Sequence, residues 1–159
     1  VQNRIGKCVI ADDVRAPRQQ IARWMEDLGF TCFTAADGVE AYELIAVNHP
    51  DLVISDIDMP DCTGFDLLRL IRNSEDAMIC KTPVLVISSL QDHEVERFVR
   101  EHRADSFLAK PLTKSTFLDA VFRTLRRSPA WGSFDVGDDS SPRISPTLRE
   151  LVRRAGQNP

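Results

Sequence analysis

No stretch of the chain is long and apolar enough to cross a bilayer, and no secretory leader opens it, since Asn3-Arg4-Ile5-Gly6-Lys7 runs straight into a short apolar block. A soluble, cytoplasmic protein is expected. Surplus positive charge is also missing: 20 Lys and Arg face 24 Asp and Glu, a formal net charge of -4 at pH 7. That balance offers no general attraction to nucleic acid or anionic lipid, so direct binding to either is not expected. Paired metal-binding cysteines are absent as well. Cys8, Cys32, Cys62 and Cys80 form no C-x-x-C, and three of them lie in or beside apolar segments, as buried free thiols of a reducing compartment would. There is no internal repeat and no initiator Met at Val1, and we expect the natural protein to be longer.

What the chain does contain is alternation. With 43% hydrophobic and 28% charged residues it can bury one ordinary core and hardly a second. Lys7 to Ala11 reads as a buried strand ended by Asp12-Asp13; after Pro17, the residues Ile21, Trp24, Met25 and Leu28 recur at helical spacing up to Gly29. Thr31 to Thr34 is a short second strand, Asp37-Gly38 a turn, and Ala41, Leu44 and Ile45 mark a second helix. Leu52, Val53 and Ile54 form a continuous apolar run that ends at Asp56, before Pro60. Phe65, Leu68 and Ile71 line a third helix, and Asn73 to Thr82 reads as a loop somewhat longer than typical. Pro83 to Ser88 is a fourth strand, followed by a thinly apolar helix with Val95, Phe98 and Val99. Ser106 to Ala109 is the fifth strand, stopped by Lys110-Pro111; Phe117, Val121, Phe122 and Leu125 line the last helix. Five such units with short links predict right-handed crossovers and a parallel sheet covered on both faces.

The composition changes after residue 127. Ser128 to Pro142 is rich in Ser, Pro, Gly and Asp and reads as a linker. Leu148, Leu151, Val152 and Ala155 then give a short amphipathic segment, too short to be a stable helix alone in water. The expected organisation is one domain over residues 1–127, with 128–159 as a tail or the start of an output region.

Ligands of open α/β sheets bind at the carboxyl ends of the strands. At that edge the sequence collects Asp12 and Asp13, Asp56 with Asp58 nearby, Ser88, and Lys110. Clustered carboxylates become tolerable around a hard divalent cation, and Mg²⁺ is the natural one because it takes one or two carboxylates, keeps waters and shares phosphate oxygens. Lys110 and the Ser88 hydroxyl can each hold a phosphate oxygen. A nucleophilic carboxylate, a metal, a cation and a hydroxyl together make a phosphoryl-transfer site.

Residues 6–127 resemble the receiver domain of two-component response regulators. The resemblance rests on Asp12-Asp13 after the first strand, the apolar strand ending at Asp56 with Pro60 and Gly64 beyond, Ser88-Ser89, and Lys110-Pro111. It implies a flavodoxin-like (βα)5 fold with strand order 2-1-3-4-5. It further implies that Asp56 accepts a phosphoryl group from the phosphohistidine of a histidine kinase or phosphotransfer protein. Asp13 and Asp56 would bind Mg²⁺, with Mn²⁺ as a substitute, helped by the main-chain carbonyl of Asp58 and, through water, by Asp12. Lys110 would pair with the phosphoryl group or Asp56, and Ser88 would swing toward the phosphoryl oxygen. Phe107 matches the aromatic switch position without the hydroxyl of a Tyr, and Lys110-Pro111 is where a cis bond is expected. Such a protein catalyses its own phosphorylation and slow dephosphorylation and is not a metabolic enzyme. By the same resemblance it signals, and can form a homodimer, through the fourth helix, fifth strand and fifth helix, roughly Asp92 to Leu125.

Other readings compete. Asp56-Ile57-Asp58 resembles the nucleophile motif of haloacid-dehalogenase-type phosphatases, but Asp12-Asp13 comes first and no cap domain follows. A flavin-binding module would need hydroxyl and glycine donors where Asp12-Asp13 stands. A receiver that docks without being phosphorylated is a further alternative. Residue by residue, Asp12-Asp13 could be an Asx turn, Ser88-Ser89 a helix cap, Asp58 and Asp61 loop acids, Lys110 a solvated strand end and Cys62 an incidental thiol. Asp58 adds charge where many relatives are neutral or basic, and Leu90 is expected to shield the site or meet a partner.

Overall fold

The computed structural model describes residues 5–89, 95, 97 and 100–127. Five strands, β1 (Gly6–Ala11), β2 (Phe30–Ala35), β3 (Leu52–Asp56), β4 (Val84–Ser88) and β5 (Ser106–Ala109), form one parallel sheet in the order β2-β1-β3-β4-β5. Between and after them lie α1 (Arg15–Asp27), α2 (Gly38–Asn48), α3 (Gly64–Arg72), α4 (Ala77–Cys80) and α5 (Lys114–Arg127). Val95, Arg97, Arg100 and Glu101 are helical as well, between β4 and β5. The expected parallel sheet and strand order are therefore present.

Side-chain alternation along each strand builds a core on each face. Cys8, Ile10, Leu52, Ile54, Leu85 and Ile87 pack with Ile21 and Met25 of α1 and with Phe117 and Val121 of α5. Their strand neighbours Val9, Ala11, Val53, Val84 and Val86 pack with Ala41 and Ile45 of α2 and Leu67, Leu68 and Ile71 of α3. Continuous apolar runs are thus the mark of strands buried on both sides. On the first face the Trp24 and Phe117 rings meet with centroids 5.2 Å apart, joining α1 to α5.

Several boundaries differ from the sequence expectation for local reasons. α1 starts at Arg15 rather than after Pro17, because the first turn of a helix has no use for the missing proline N–H. α2 starts at Gly38: Asp37 caps it, its carboxylate accepting the Glu40 N–H at 2.9 Å. The stretch from Asn73 to Thr82 is not all loop, since α4 occupies Ala77–Cys80, capped by Asp76. With only Ile79 buried in that single turn, no apolar period existed to announce it. Leu90, Asp92, Phe98 and Val99, the linker over 128–142 and the amphipathic segment over 146–155 lie outside the described residues.

The amino edge of the sheet is closed by a largely buried ion pair that no pattern predicts. Arg72, the last residue of α3, meets Asp105 at 2.8 Å and also donates to the carbonyls of Cys80, Thr82 and Arg103. Asp105 in turn accepts the Val84 N–H at 2.8 Å, so one guanidinium ties α3 to the entrances of β4 and β5. Burial pushes the Asp105 carboxyl up and the Arg72 guanidinium down, each against its own charge. Desolvation of this kind offsets most of the attraction in an intact pair, while loss of one partner strands a buried charge. Arg72→Ala is accordingly expected to lower the unfolding free energy in urea by about 3–5 kcal/mol, and a loss below about 1 kcal/mol would contradict the assignment.

Candidate functional site

β1 and β3 run side by side in register from Cys8 opposite Leu52 to Ala11 opposite Ser55. The next residues, Asp12 just past β1 and Asp56 at the tip of β3, therefore stand side by side. Both are buried, Asp12 at 1% and Asp56 at 5% exposure, as is Ser88 at the tip of β4. From β5, the Lys110 N–H donates to the Ser88 carbonyl at 2.8 Å, and the Lys110-Pro111 peptide is cis, as the resemblance implied. The lysine then reaches back across β4. Its Nζ pairs with Oδ2 of Asp56 and lies 3.6 Å from Oδ2 of Asp12.

The remaining oxygens are fixed by main chain. Oδ1 of Asp56 accepts the Asp58 N–H at 3.0 Å, and Oδ1 of Asp12 accepts the Val14 N–H at 2.9 Å. Asp12 therefore makes the local Asx-type turn and faces the site at once; the two readings of this residue are compatible. Burial pushes the Asp12 carboxyl up; the Val14 N–H and Lys110 oppose the shift, while the charges of Asp56 and Asp13 add to it. Burial also works against the Lys110 ammonium, but Asp56 and then Asp12 outweigh it and raise its pKa. Lys110 thus faces carboxylates that still repel one another.

That residual repulsion is the observation that fits a divalent cation. Among the described residues no three His, Cys, Asp or Glu side chains converge as a complete cage. An all-oxygen set of one or two carboxylates, a main-chain carbonyl and retained waters is nevertheless what Mg²⁺ accepts. Asp13 and Asp58 are exposed beside the buried pair, open to solvent. Phe107 stands across from Val86 and packs, half-buried, into the α2–α3 core.

The loop after β3 is clamped by close approaches that the sequence reading did not explain. A Cβ on Gly64 would lie 2.2 Å from the Asp56 carbonyl oxygen, and the Gly64 N–H donates to Ile57 at 3.0 Å. Thr63 and Asp66 close a capping box at this helix start, a spacing visible in the sequence. On the other side, a Cβ on Gly38 would lie 2.4 Å from the Cys62 sulfur. Cys62, 7% exposed, is thus a packing element between α2 and the loop, and Gly38 is more than a turn residue.

The response regulator receiver domain family matches residues 8–122. The chain belongs to this family. Response regulator MprA of Mycobacterium sp. (strain KMS) is 33% identical over 158 residues, which cover 95% of this chain and 65% of that protein; the chain thus spans just under two thirds of that relative's length. Regulator of RpoS of Escherichia coli (strain K12) is 44% identical over 92 residues, 57% of this chain and 26% of that protein. Among solved structures, the Vibrio cholerae chemotaxis protein CheY4 superposes with a TM-score of 0.70 at 29% identity, covering 76% of this chain and 98% of that one. The signal receiver domain of a histidine kinase from Syntrophus aciditrophicus, at 24% identity and a TM-score of 0.69, covers 84% of this chain and 96% of that one and shares the fold. The receiver domain is accordingly a two-component signalling module, of a family that is generally not metabolic enzymes. Among its described residues no helix is long and apolar enough to cross a membrane.

The clamp on the receiver's β3–α3 loop is directly testable. Gly64→Ala forces backbone to move beside Asp56 and is expected to lower stability by about 1–3 kcal/mol, the usual range for overpacking. Unchanged urea unfolding in that variant would contradict the close approach.

Proposed function

We propose that Asp56 is the phosphoacceptor of this receiver, taking a phosphoryl group from a phosphohistidine on a histidine kinase or phosphotransfer protein. The observation that carries this reading is the pairing of buried Asp56 with Lys110 at the strand tips, beside the Asp12 carboxylate. A carboxylate oxygen of Asp56 attacks phosphorus as the phosphorus–nitrogen bond to the histidine breaks, and the electron pair leaves on the imidazole. Lys110, kept charged by its carboxylate neighbours, balances the phosphoryl oxygens, and the Ser88 hydroxyl donates to one of them. Asp13 and Asp56, the Asp58 carbonyl and, through water, Asp12 would hold Mg²⁺. When bound, Mg²⁺ neutralises charge between the carboxylate and the phosphoryl oxygens.

The same contacts supply the switch. A phosphoryl group on Asp56 interacts differently with Ser88 and Lys110 in two pre-existing states and so shifts their populations, with Phe107 repacking as the loop after β4 moves. The signalling unit on this reading is residues 1–127, acting in the cytoplasm, with 128–159 as a tail or the start of an output region. A homodimer through the helical stretch between β4 and β5, β5 itself and α5, roughly Asp92 to Leu125, belongs to the same proposal.

Incubation with Mg²⁺ and a small phosphodonor is expected to give an acid-stable, base-labile phosphate that Asp56→Ala lacks. An unmodified wild-type chain would leave a receiver that docks without phosphorylation. Asp58 is exposed two residues beyond the acceptor, where its charge can hold the cation or repel attacking water. Asp58→Asn is expected to weaken Mg²⁺ binding or quicken dephosphorylation about fivefold, the scale of one charge pair at ~4 Å in water. No change in either quantity would remove Asp58 from the account.

A further inference from the structure

Cys8 and Cys32 occupy facing positions on the β1–β2 ladder. Their sulfurs lie 3.3 Å apart, the Cys8 thiol donating to Cys32. Neighbouring strands about 4.8 Å apart place paired Cα atoms inside the ~4.4–6.8 Å window that a disulfide spans. Closing the two sulfurs to ~2.0 Å requires a combined movement of about 1.3 Å. Side-chain rotation and the edge position of β2 make that movement accessible. The other two thiols are placed differently: Cys62 lies against Gly38, and Cys80 donates to the Arg72 carbonyl at 3.2 Å.

We propose that Cys8 and Cys32 are an oxidisable dithiol, a redox modification site that a peroxide converts into an intramolecular disulfide. Cys32, half-buried on the edge strand, is the more accessible residue of the two, since Cys8 is fully buried. Its thiolate attacks one peroxide oxygen, the oxygen–oxygen bond breaks, and hydroxide leaves and takes up the proton the thiol had released, giving water and a Cys32 sulfenic acid. The Cys8 sulfur then displaces hydroxide from the Cys32 sulfur; its proton completes a second water, and the sulfur–sulfur bond forms. Two thiols lose two electrons and one peroxide gains them. The hydrogen bond to Cys32 and burial both hold the Cys8 thiol well above its ordinary pKa, which keeps it protonated until it attacks.

The bond would pin β2 to β1 upstream of Asp12, whose N–H donates to the Ala35 carbonyl of β2 at 3.1 Å. It crosses mid-strand, away from Asp56. The test is oxidation of the fully reduced chain with hydrogen peroxide, alkylation of the remaining thiols and peptide mapping without reductant. A single Cys8–Cys32 cross-link is expected in monomeric protein, reversed by dithiothreitol and accompanied by a higher unfolding midpoint. A Cys62→Ser, Cys80→Ser double variant should retain it, and Cys32→Ser, folded by circular dichroism, should lack it. Absence of the cross-link, its replacement by intermolecular or Cys62 and Cys80 disulfides, or overoxidised Cys32 beside reduced Cys8 would each overturn the proposal.

Discussion

The structure depends at its strand tips on one charge arrangement: the Lys110 ammonium set against the buried carboxylates of Asp56 and Asp12. Buried charges persist only when paired, and each member here is held by main chain as well as by its partner. The Asp58 and Val14 N–H groups fix the outer oxygens, and the Ser88 carbonyl fixes the lysine's own backbone. The charges of Asp56 and Asp13 still press on the Asp12 carboxylate. On the proposed reading, that is the setting a divalent cation and, with it, a phosphoryl group would enter.

The rest of the fold holds these atoms in register. Asp12 and Asp56 emerge together because β1 and β3 are parallel and in step, and they stay in step because the apolar residues beneath them are locked into cores on both faces. Gly64 and Gly38 let α3 and α2 close on the loop that follows Asp56. At the opposite edge, Arg72 and Asp105 tie the entrances of β4 and β5 to α3. The site edge stays polar, while the far edge is tied by its own internal pair.

Much of this was legible in the sequence because strands buried on both faces leave continuous apolar runs, and strand tips leave carboxylates, hydroxyls and lysine at characteristic spacings. Asp12, Asp56, Ser88 and Lys110 could be gathered at one edge from spacing alone once the sheet was taken as parallel. Other features have no linear signature. The Arg72–Asp105 pair joins residues 33 positions apart, α4 is a single turn with one buried residue, and Cys62 looks incidental until Gly38 is set against it. Likewise, Cys8 and Cys32 read as separate buried thiols until the β1–β2 register places them opposite each other. Long-range pairing, rather than local propensity, is what the sequence conceals.

The central claim is that Asp56 is the carboxylate on which the phosphoryl group is built, with Lys110 and Ser88 as its contacts. A crystal structure of the chain with Mg²⁺ and beryllium fluoride, a tetrahedral mimic of a phosphoryl group, tests it most directly. The account predicts beryllium bonded to an Asp56 oxygen, with fluorides in hydrogen-bond reach of Lys110 Nζ and Ser88 Oγ. Beryllium bonded to Asp12, Asp13 or Asp58, or on Asp56 with Lys110 turned away, would contradict it.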